Sequence, residues 1–386
     1  MKVALSTAGK FHTFDLAREL HARNALAGVL TGYPRFKLRQ EGLPAEAIHT
    51  FPWINGAYMA FPWKHRLPPR VLQQWEHVNA VSFGQWVGRN LPPCDVYVGL
   101  SGSTLPAGRR SRRHGIAYVC DRGSSHIRVQ DRLLREEHAL WGVAFSGIDP
   151  RSIAREEAEY AEADRITVPS GFVLRSFLEQ GIPLGKMCLL PYGVNLSRFQ
   201  PVAAPRDGRF DVLFVGGMSL RKGVQYLVQA YSRVVHKAKS LTFVGAPSQE
   251  LITLLEARGV WPRDAVVLGH VPQPELKALM SRSHVMVLPS IEEGLAMVQA
   301  QAMACACPVL ATRHTGAEDL FDDTVEGFVV PIRDVDALAG RLQRLADDPA
   351  ERAAMGQRAL ARVQGLGGWH DYGEKASAVY HELLAR

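Results

Sequence analysis

Two cationic residues follow a pair of glycines at the end of an apolar run in the second half of the chain. The segment FVGGMSLRKG, residues 214–223, places Gly216 and Gly217 after the run and Arg221 and Lys222 before the next helical pattern. Glycine lets a ligand approach the backbone closely, and arginine and lysine neutralise phosphate oxygens. The segment predicts a phosphate-binding turn, although its spacing is not that of a Walker loop. Taken alone, a tight turn followed by solvated cations is the simpler interpretation.

A second polar turn lies further along the chain, again between an apolar run and a helical pattern. In LPSIEEGLAMV, Pro289 and Ser290 end the run, Glu293 and Gly294 follow, and the pattern predicts a helix whose first turn spans residues 295–298. Free amides and the positive end of the helix dipole favour an anion at such a start. The turn therefore predicts a site for a nucleoside diphosphate. Alternatively, Glu293 is an ordinary N-terminal acid that stabilises the dipole.

Both turns belong to a regular alternation of short β-rich runs and amphipathic stretches that begins at Phe210. The β-rich runs are FDVLFVG, LTFVG, AVVLGHV, HVMVLPS and PVLAT. Strands of about five residues alternating with helices of ten or more predict a parallel sheet covered on both faces. Ligands of such open sheets bind beyond the carboxyl ends of the strands, which is where both polar turns lie.

The first half of the chain repeats this alternation less cleanly. KVALS, DVYVGL, GIAYVC and DRITVPS are expected strands, and a helix is predicted over residues 14–23. The prolines and glycine of PYGVNLSRFQPVAAPRDG interrupt both patterns and predict a join between two doubly wound α/β domains. We expect a first domain over residues 1–195, a linker over 196–209, a second domain over 210–366 and a terminal helix over 367–386.

Composition describes a globular chain with unevenly distributed charge. The 386 residues are 47% hydrophobic, and five cysteines without a Cys-x-x-Cys pair support neither a disulfide framework nor a zinc site. No run reaches the roughly 18 apolar residues of a membrane span, and the start is too polar for a signal peptide, so we expect a cytoplasmic protein.

Residues 1–199 carry a net charge of +8 and residues 200–386 a net charge of −1. The basic half predicts an acidic partner, such as nucleic acid, a phosphorylated substrate or an anionic membrane.

Three runs of the chain together resemble the retaining glycosyltransferases of family 4, which have the GT-B fold. They are FVGGMSLRKGVQYL, VPSGFVLRSFLEQGIPLGKMCLLPYGVNLSRF and PSIEEGLAMVQAQAMACACPVLATRHTGAEDL. The resemblance covers most of residues 160–335 and is specific in the order of its motifs, while the first half matches more loosely. It implies two Rossmann-like domains facing each other across a cleft and metal-independent use of a nucleotide-sugar. It also implies a terminal helix that crosses back to the first domain, for which residues 369–384 are suited.

The resemblance assigns the two polar turns to the donor. Lys222 matches the family's diphosphate-binding lysine, and Glu293 matches the first glutamate of its E-x7-E motif, which contacts the donor sugar. Gly217 stands where the family often has arginine, so Arg221 is expected to supply that charge. Gln301 replaces the second glutamate, which usually holds ribose, and its amide can still exchange hydrogen bonds with hydroxyls. The implied donor-binding residues are Gly9, Gly216, Gly217, Arg221, Lys222, Glu293, Gly294, Leu295, Ala296, Met297, Val298 and Gln301.

A histidine in the first half completes the catalytic set that the resemblance implies. His126 lies in CDRGSSHIR, just past a predicted strand, and resembles the active-site histidine that approaches the donor sugar from the opposite side of the cleft. With Glu293 and Lys222 it forms the predicted catalytic residues. A lone histidine is more often a packing or surface residue, and His12 and His138 are further candidates to face the cleft.

The end of the first strand resembles the family's glycine turn, which approaches the diphosphate and the acceptor. Gly9 and Lys10 follow the strand KVALS and precede the predicted helix over residues 14–23. Lys10 and His12 are therefore acceptor-side candidates. A tight connection between a strand and a helix, without a ligand, is the alternative.

Tryptophans and basic residues are interleaved over residues 51–86. This stretch holds four of the seven tryptophans, and the basic residues of this region and of a second cluster are Lys64, His65, Arg66, Arg70, Arg109, Arg110, Arg112 and Arg113. Tryptophan beside basic residues suits a membrane interface or a lipid-phosphate acceptor. An aromatic core with a solvated basic rim is the other interpretation. Nucleic acid is disfavoured as a partner because no recognised binding module accompanies these clusters.

The residues and the resemblance together predict a retaining glycosyltransferase. It would move a sugar from a nucleoside-diphosphate sugar, UDP- or GDP-linked, to the hydroxyl of a lipid-linked or saccharide acceptor, in the synthesis of envelope polysaccharide or glycolipid. No metal or other cofactor is expected, and an anionic membrane surface is a possible partner. A nucleotide-sugar epimerase of the same fold and a non-catalytic sugar-nucleotide-binding module are the alternatives.

Overall fold

Helices and strands alternate along the whole chain in the computed structural model, which describes residues 1–61, 67–196 and 198–385. The strands are β1 Val3–Thr7, β2 Leu26–Thr31, β3 Ile48–Thr50, β4 Val96–Leu100, β5 Ala117–Asp121, β6 Arg165–Val168, β7 Met187–Leu189, β8 Phe210–Val215, β9 Lys239–Val244, β10 Ala265–Gly269, β11 Val285–Leu288, β12 Val309–Thr312 and β13 Gly327–Val330. The helices are α1 Thr13–Ala22, α2 Trp53–Ala60, α3 Pro69–Asn90, α4 Leu105–Arg113, α5 Ile127–Leu140, α6 Pro150–Glu162, α7 Gly171–Leu178, α8 Val224–Arg233, α9 Gln249–Ala257, α10 Gln273–Arg282, α11 Val298–Ala304, α12 Val335–Asp347, α13 Pro349–Gly365 and α14 Trp369–Leu384.

The strands form two separate parallel sheets. The first has the order β3-β2-β1-β4-β5-β6-β7 and the second the order β10-β9-β8-β11-β12-β13. Their central strands are apolar and buried along their whole length, as in VALST of β1 and VMVL of β11, because helices cover both faces. These sheets confirm the predicted doubly wound α/β architecture. The order reverses between β1 and β4 and between β8 and β11, and such switch points open a crevice for ligands.

The last helix crosses back to the first sheet, as predicted. Tyr372, Ala376 and Tyr380 of α14 are buried in one hydrophobic cluster with Val3 of β1 and Phe14 of α1. Burial of a large apolar side chain contributes about 1.5–3 kcal/mol, so this contact holds the end of the chain firmly against its beginning.

The tryptophan-rich stretch forms α2 and α3 and divides into a packed part and an exposed part. Trp86 stacks on Phe51 with ring centroids 5.3 Å apart, whereas Trp53 is 76% exposed. Trp63 and its basic neighbours Lys64, His65 and Arg66 lie outside the described residues. Among the helices that are described, none combines the length and the apolar character needed to cross a bilayer.

The second basic cluster lies on α4 and is partly neutralised. Arg109 Nε donates to Glu162 Oε1 at 2.7 Å, and Arg112 lies 3.8 Å from Asp164. Arg110 and Arg113 form no ion pair with a described residue. The cluster therefore carries less free charge than its sequence indicates.

Candidate active site

The glycines after β8 form a turn that only flexible backbone can make. Gly216 has a φ of +153° and Gly223, which precedes α8, has a φ of +70°. A Cβ at Gly223 would overlap the carbonyl oxygen of Pro289, so the turn comes as close as it can to the loop after β11. A Cβ at Gly217, in contrast, would make only an ordinary van der Waals contact, 4.0 Å from Ala246 Cβ.

The loops after β8 and β11 meet at the switch point of the second sheet. Ile291 N donates to Arg221 O at 2.8 Å. Lys222 Nζ pairs with Glu293 Oε1, and Arg221 Nη1 lies 3.6 Å from the same carboxylate oxygen. The two cations and Glu293, which the sequence predicted as neighbours, are therefore brought together. An anion that entered here would compete with Glu293 for both cations.

Glu292, which lies in this loop but was given no role from the sequence, joins it to the first half of the chain. Its carboxylate is fully buried and accepts from Ser125 N at 3.0 Å, Ser125 Oγ at 2.8 Å and Gln130 Nε2 at 3.1 Å. Arg221 Nη1 lies 3.4 Å from its other side. A buried carboxylate needs several such partners to offset its desolvation. The only signal in the sequence was the doubled glutamate before Gly294.

Gly294 lies where the two halves of the chain approach each other most closely in this loop. A Cβ at Gly294 would overlap the carbonyl oxygen of Gly123, which follows β5. The carbonyl oxygen of Gly294 accepts from Ser170 Oγ at 2.7 Å. Glycine is therefore required for contact between the halves, in addition to any role beside a ligand.

The helix after this loop begins later than the sequence predicts. The seven-residue helix α11 starts at Val298, with Met297 at its N-cap. Ala296 N donates to Thr315 O at 3.1 Å, which draws this segment toward the loop after β12 and delays the helix. The prediction of a first turn over residues 295–298 was wrong. Leu295 and Ala296 are buried, and Gln301 is half-buried one turn into α11.

His126 lies in the hydrophobic interior, not in the space between the halves. It is 2% exposed, and its ring centroid lies 5.0 Å from that of Tyr160 and 4.9 Å from that of Phe177. Its Nδ1 accepts from Arg128 N at 3.3 Å and so caps α5. Burial, aided by the charge of Arg122, lowers the pKa of His126 to about 4. This placement corrects the prediction that His126 meets the donor sugar.

His12, in contrast, reaches the space between the halves. It lines a cavity of about 410 Å³ together with Leu295 and Met297 of the second half. Its Nε2 lies 2.6 Å from Asp121 Oδ2, and its ring lies against Tyr192 with centroids 4.2 Å apart. The cavity thus brings an acceptor-side candidate next to residues predicted to bind the donor.

The other candidates of the first half are engaged locally. Lys10 Nζ pairs with Glu41, although the side chain remains exposed. A Cβ at Gly9 would lie 2.7 Å from the ring of Phe11, so Gly9 makes room for that side chain. His138 stacks on Phe145 with centroids 4.4 Å apart, which gives it a packing role.

Part of the second half matches a known family model. Residues 209–348 match the model described as "Glycosyl transferases group 1". Over 212 residues the chain is 34% identical to a D-inositol 3-phosphate glycosyltransferase of Arthrobacter sp. (strain FB24), a match that spans half of this chain and 49% of that relative. A D-inositol 3-phosphate glycosyltransferase of Pseudarthrobacter chlorophenolicus is 30% identical over 313 residues, which are 72% of this chain and 74% of the relative. The chain thus spans about half the length of the first relative and three quarters of the second.

Solved structures resemble the whole chain. Sucrose-phosphate synthase from Thermosynechococcus elongatus superposes with a TM-score of 0.76 at 22% identity, covering 100% of this chain and 99% of that one. Anabaena Alr3699/HepE in complex with UDP-glucose superposes with a TM-score of 0.70 at 16% identity, covering 99% of this chain and 100% of that one. At these identities the likeness concerns the fold.

Proposed function

The chain belongs to the group 1 glycosyl transferases, and we propose that it transfers a sugar from a nucleoside-diphosphate sugar to an acceptor hydroxyl with retention at the anomeric carbon. The observation that carries this proposal is the pairing of Arg221 and Lys222 with Glu293 at the switch point of the second sheet. Three charged side chains converge there beside a glycine turn. A diphosphate has the negative charge to pair with both cations.

In the proposed reaction the diphosphate replaces Glu293 as the partner of Lys222. Arg221 and Lys222 then neutralise the charge that develops on the leaving diphosphate. Because both side chains are already in position before the reaction, little free energy is spent on reorganising them in the transition state. Glu293, released from Lys222, is free to bind the donor sugar, and Gln301 lies one helical turn further on for the ribose. Glu292, whose carboxylate is hydrogen-bonded to Ser125 of the first half, holds Arg221 in place.

Labelled nucleotide-sugars test this function directly. We expect the label to move to an acceptor, with the anomeric configuration of the donor retained in the product. An epimerised donor, or a donor that is bound but unchanged, would indicate one of the alternatives. The relatives described above are transferases and a synthase, which gives the epimerase alternative no support. UDP- and GDP-sugars, tested with neutral saccharides and lipid-linked acceptors, form the necessary panel.

We further propose that the reaction needs no metal, and we expect activity to survive EDTA. The chain has one Asp-x-Asp triplet, Asp334–Asp336, and both carboxylates are engaged: Asp334 caps α12 and Asp336 pairs with Arg233. Within the described residues, no group of three or more histidines, cysteines or acids is arranged to hold a metal ion. Initial rates with and without EDTA are the measurement. Loss of activity that added Mg²⁺ or Mn²⁺ restores would contradict the proposal.

We also propose that the first half works against an anionic membrane surface, where it meets a lipid-linked or envelope acceptor. Trp53, Met59, Val71 and Val78 expose apolar side chains on α2 and α3, and Arg70 lies beside Val71 in the groove between these helices. Helix α4 packs against α3 and carries Arg110 and Arg113, which form no ion pair within the described part of the chain. Each basic side chain near an anionic surface contributes about 1 kcal/mol, so a few acting together give reversible attachment.

Co-sedimentation with vesicles tests this attachment. We expect binding to vesicles that contain anionic lipid at low salt, weaker binding at high salt, and little binding to neutral vesicles. Trp53→Ala should weaken binding, whereas Leu184→Ala, which removes another exposed apolar side chain far along the chain from α2, should not. Failure to co-sediment with anionic vesicles at low salt would refute membrane attachment but would not bear on the proposed transfer reaction.

A further inference from the structure

His12 and Asp121 form a buried pair for which the donor chemistry proposed above has no use. His12 Nε2 lies 2.6 Å from Asp121 Oδ2, and Thr167 Oγ1 donates to Asp121 Oδ1 at 2.8 Å. Both carboxylate oxygens therefore have a partner. The three residues come from the loop after β1 and from the neighbouring strands β5 and β6, so the sheet itself holds the pair in place.

The pair leaves one ring nitrogen of His12 unused. In a neutral imidazole that donates its Nε2–H to a carboxylate, Nδ1 is a hydrogen-bond acceptor. Nδ1 has no hydrogen-bond partner among the described residues, and His12 does not cap α1 although it stands at its N-cap. Contact with Tyr192 limits rotation of the ring. A molecule in the cavity that His12 lines would find a fixed acceptor.

Two cationic residues near this cavity, Arg122 and Lys10, are paired with carboxylates. Arg122 lines the cavity, but its guanidinium donates to Glu156 Oε2, to Ser125 O and to Gln130 Oε1. Lys10, two residues before His12, is paired with Glu41. A phosphate group on this side would therefore have to displace Glu156, which is buried against Arg122, or Glu41, whose side chain is buried beside Lys10.

The rest of the lining is suited to a sugar ring. Phe11 lies at the edge of the cavity and is 55% exposed, and Leu100, Leu295 and Met297 complete an apolar wall. Ser101 and Ser124 add polar residues to the same lining. Apolar surface with a few placed polar groups is the usual form of a small-ligand site. An aromatic face next to such groups matches the apolar face and the hydroxyls of a saccharide.

We propose that His12 and Asp121 form the acceptor subsite and that this subsite takes a neutral saccharide. His12 Nδ1 accepts a hydrogen bond from an acceptor hydroxyl, and the sugar ring lies against Phe11. Asp121 is a positioning residue that holds the proton of the ring on Nε2. The proposal rests on the function proposed above and adds the class of acceptor to it.

Two substitutions of His12 separate the roles of its nitrogens. Asparagine keeps a hydrogen-bond acceptor close to the position of Nδ1. Glutamine keeps a hydrogen-bond donor close to the position of Nε2 but has no acceptor at the position of Nδ1. We expect His12→Gln to reduce kcat/KM for the acceptor about 30-fold and His12→Asn to reduce it several-fold less. Asp121→Asn turns an amide donor toward Nε2, which shifts the ring proton to Nδ1, so its loss should match that of His12→Gln.

The control variant is His21→Gln, which changes an exposed histidine on the same helix and should retain the kcat/KM of the unaltered enzyme. The affinity for UDP or GDP, measured by calorimetry, reports on folding of the second half in every variant. Equal kcat/KM for the acceptor in His12→Gln and the unaltered enzyme would overturn the proposal. If the unaltered enzyme transfers no sugar from any donor, the proposed function fails instead.

The acceptor class has its own test. A neutral methyl glycoside or disaccharide is compared with its phosphate monoester, and we expect at least a 10-fold higher kcat/KM for the neutral acceptor. Phe11→Ala should lower that value about 10-fold, while Phe11→Tyr should keep most of it because the aromatic face is preserved. A preference for the phosphate monoester would show that the subsite takes an anionic acceptor and would overturn the proposal.

Discussion

Replacing Lys222 with alanine is expected to reduce turnover about 100-fold or more while leaving the protein folded. In enzymes, removal of one preorganised group that stabilises developing negative charge lowers kcat by about 100- to 1,000-fold. The Lys222 side chain is 17% exposed, and without it Glu293 keeps Arg221 and Ser290 Oγ, at 3.6 Å and 3.4 Å, as neighbours. The free energy of unfolding should therefore fall by about 1–2 kcal/mol, within the usual range for a single substitution that creates no large cavity. Initial rates at saturating donor and acceptor are the measurement.

The matched control for this substitution is Lys237→Ala. Lys237 is an exposed lysine of the second half, between α8 and β9. Its removal alters the net charge equally but should leave turnover unchanged. A folded Lys222→Ala variant with the turnover of the unaltered enzyme would disprove the role of Lys222 in binding the leaving group.

Gly294→Ala is expected to reduce turnover by about 100-fold through a different cause. The added Cβ would overlap the carbonyl oxygen of Gly123, so the two halves must move apart to accept it. That movement separates Glu292 from Ser125 and widens the cavity that His12 and Met297 line together. A displacement of about 1 Å between reacting groups is enough to cost two orders of magnitude.

Gly340→Ala is the matched control, because a Cβ at this exposed position of α12 would meet nothing within 4 Å. It should leave turnover unchanged and raise stability slightly, since alanine is favoured over glycine in a helix by about 1 kcal/mol. A Gly294→Ala variant with turnover within threefold of the unaltered enzyme would show that the close approach at Gly123 is not needed for catalysis.

The positions of most strands could be predicted from the sequence because the signal is local. All nine runs expected to be strands are strands, from KVALS in β1 to PVLAT in β12. The four that were missed, β2, β3, β7 and β13, contain an early glycine or only three or four residues, too few for a periodicity to be visible. The glycine turn before Lys222 and the polar turn before Gly294 could be located in the same way, since their residue types act within a few positions of chain.

Which side chains share a site depended on contacts that the local pattern does not contain. Glu292 has its partner Ser125 at a separation of 167 residues, and α11 starts late because Ala296 bonds to Thr315 on another loop. His126 and His12 both follow strands of the first sheet, and their sequence contexts do not say which one faces the cavity. Packing decided it: Tyr160 and Phe177 enclose the first ring, while Asp121 holds the second at the junction of the two halves. The sequence alone therefore determined the strands, the turns and the charged residues within them. Only the tertiary structure decided which of these residues meet, because burial and long-range hydrogen bonds depend on how the two sheets approach each other.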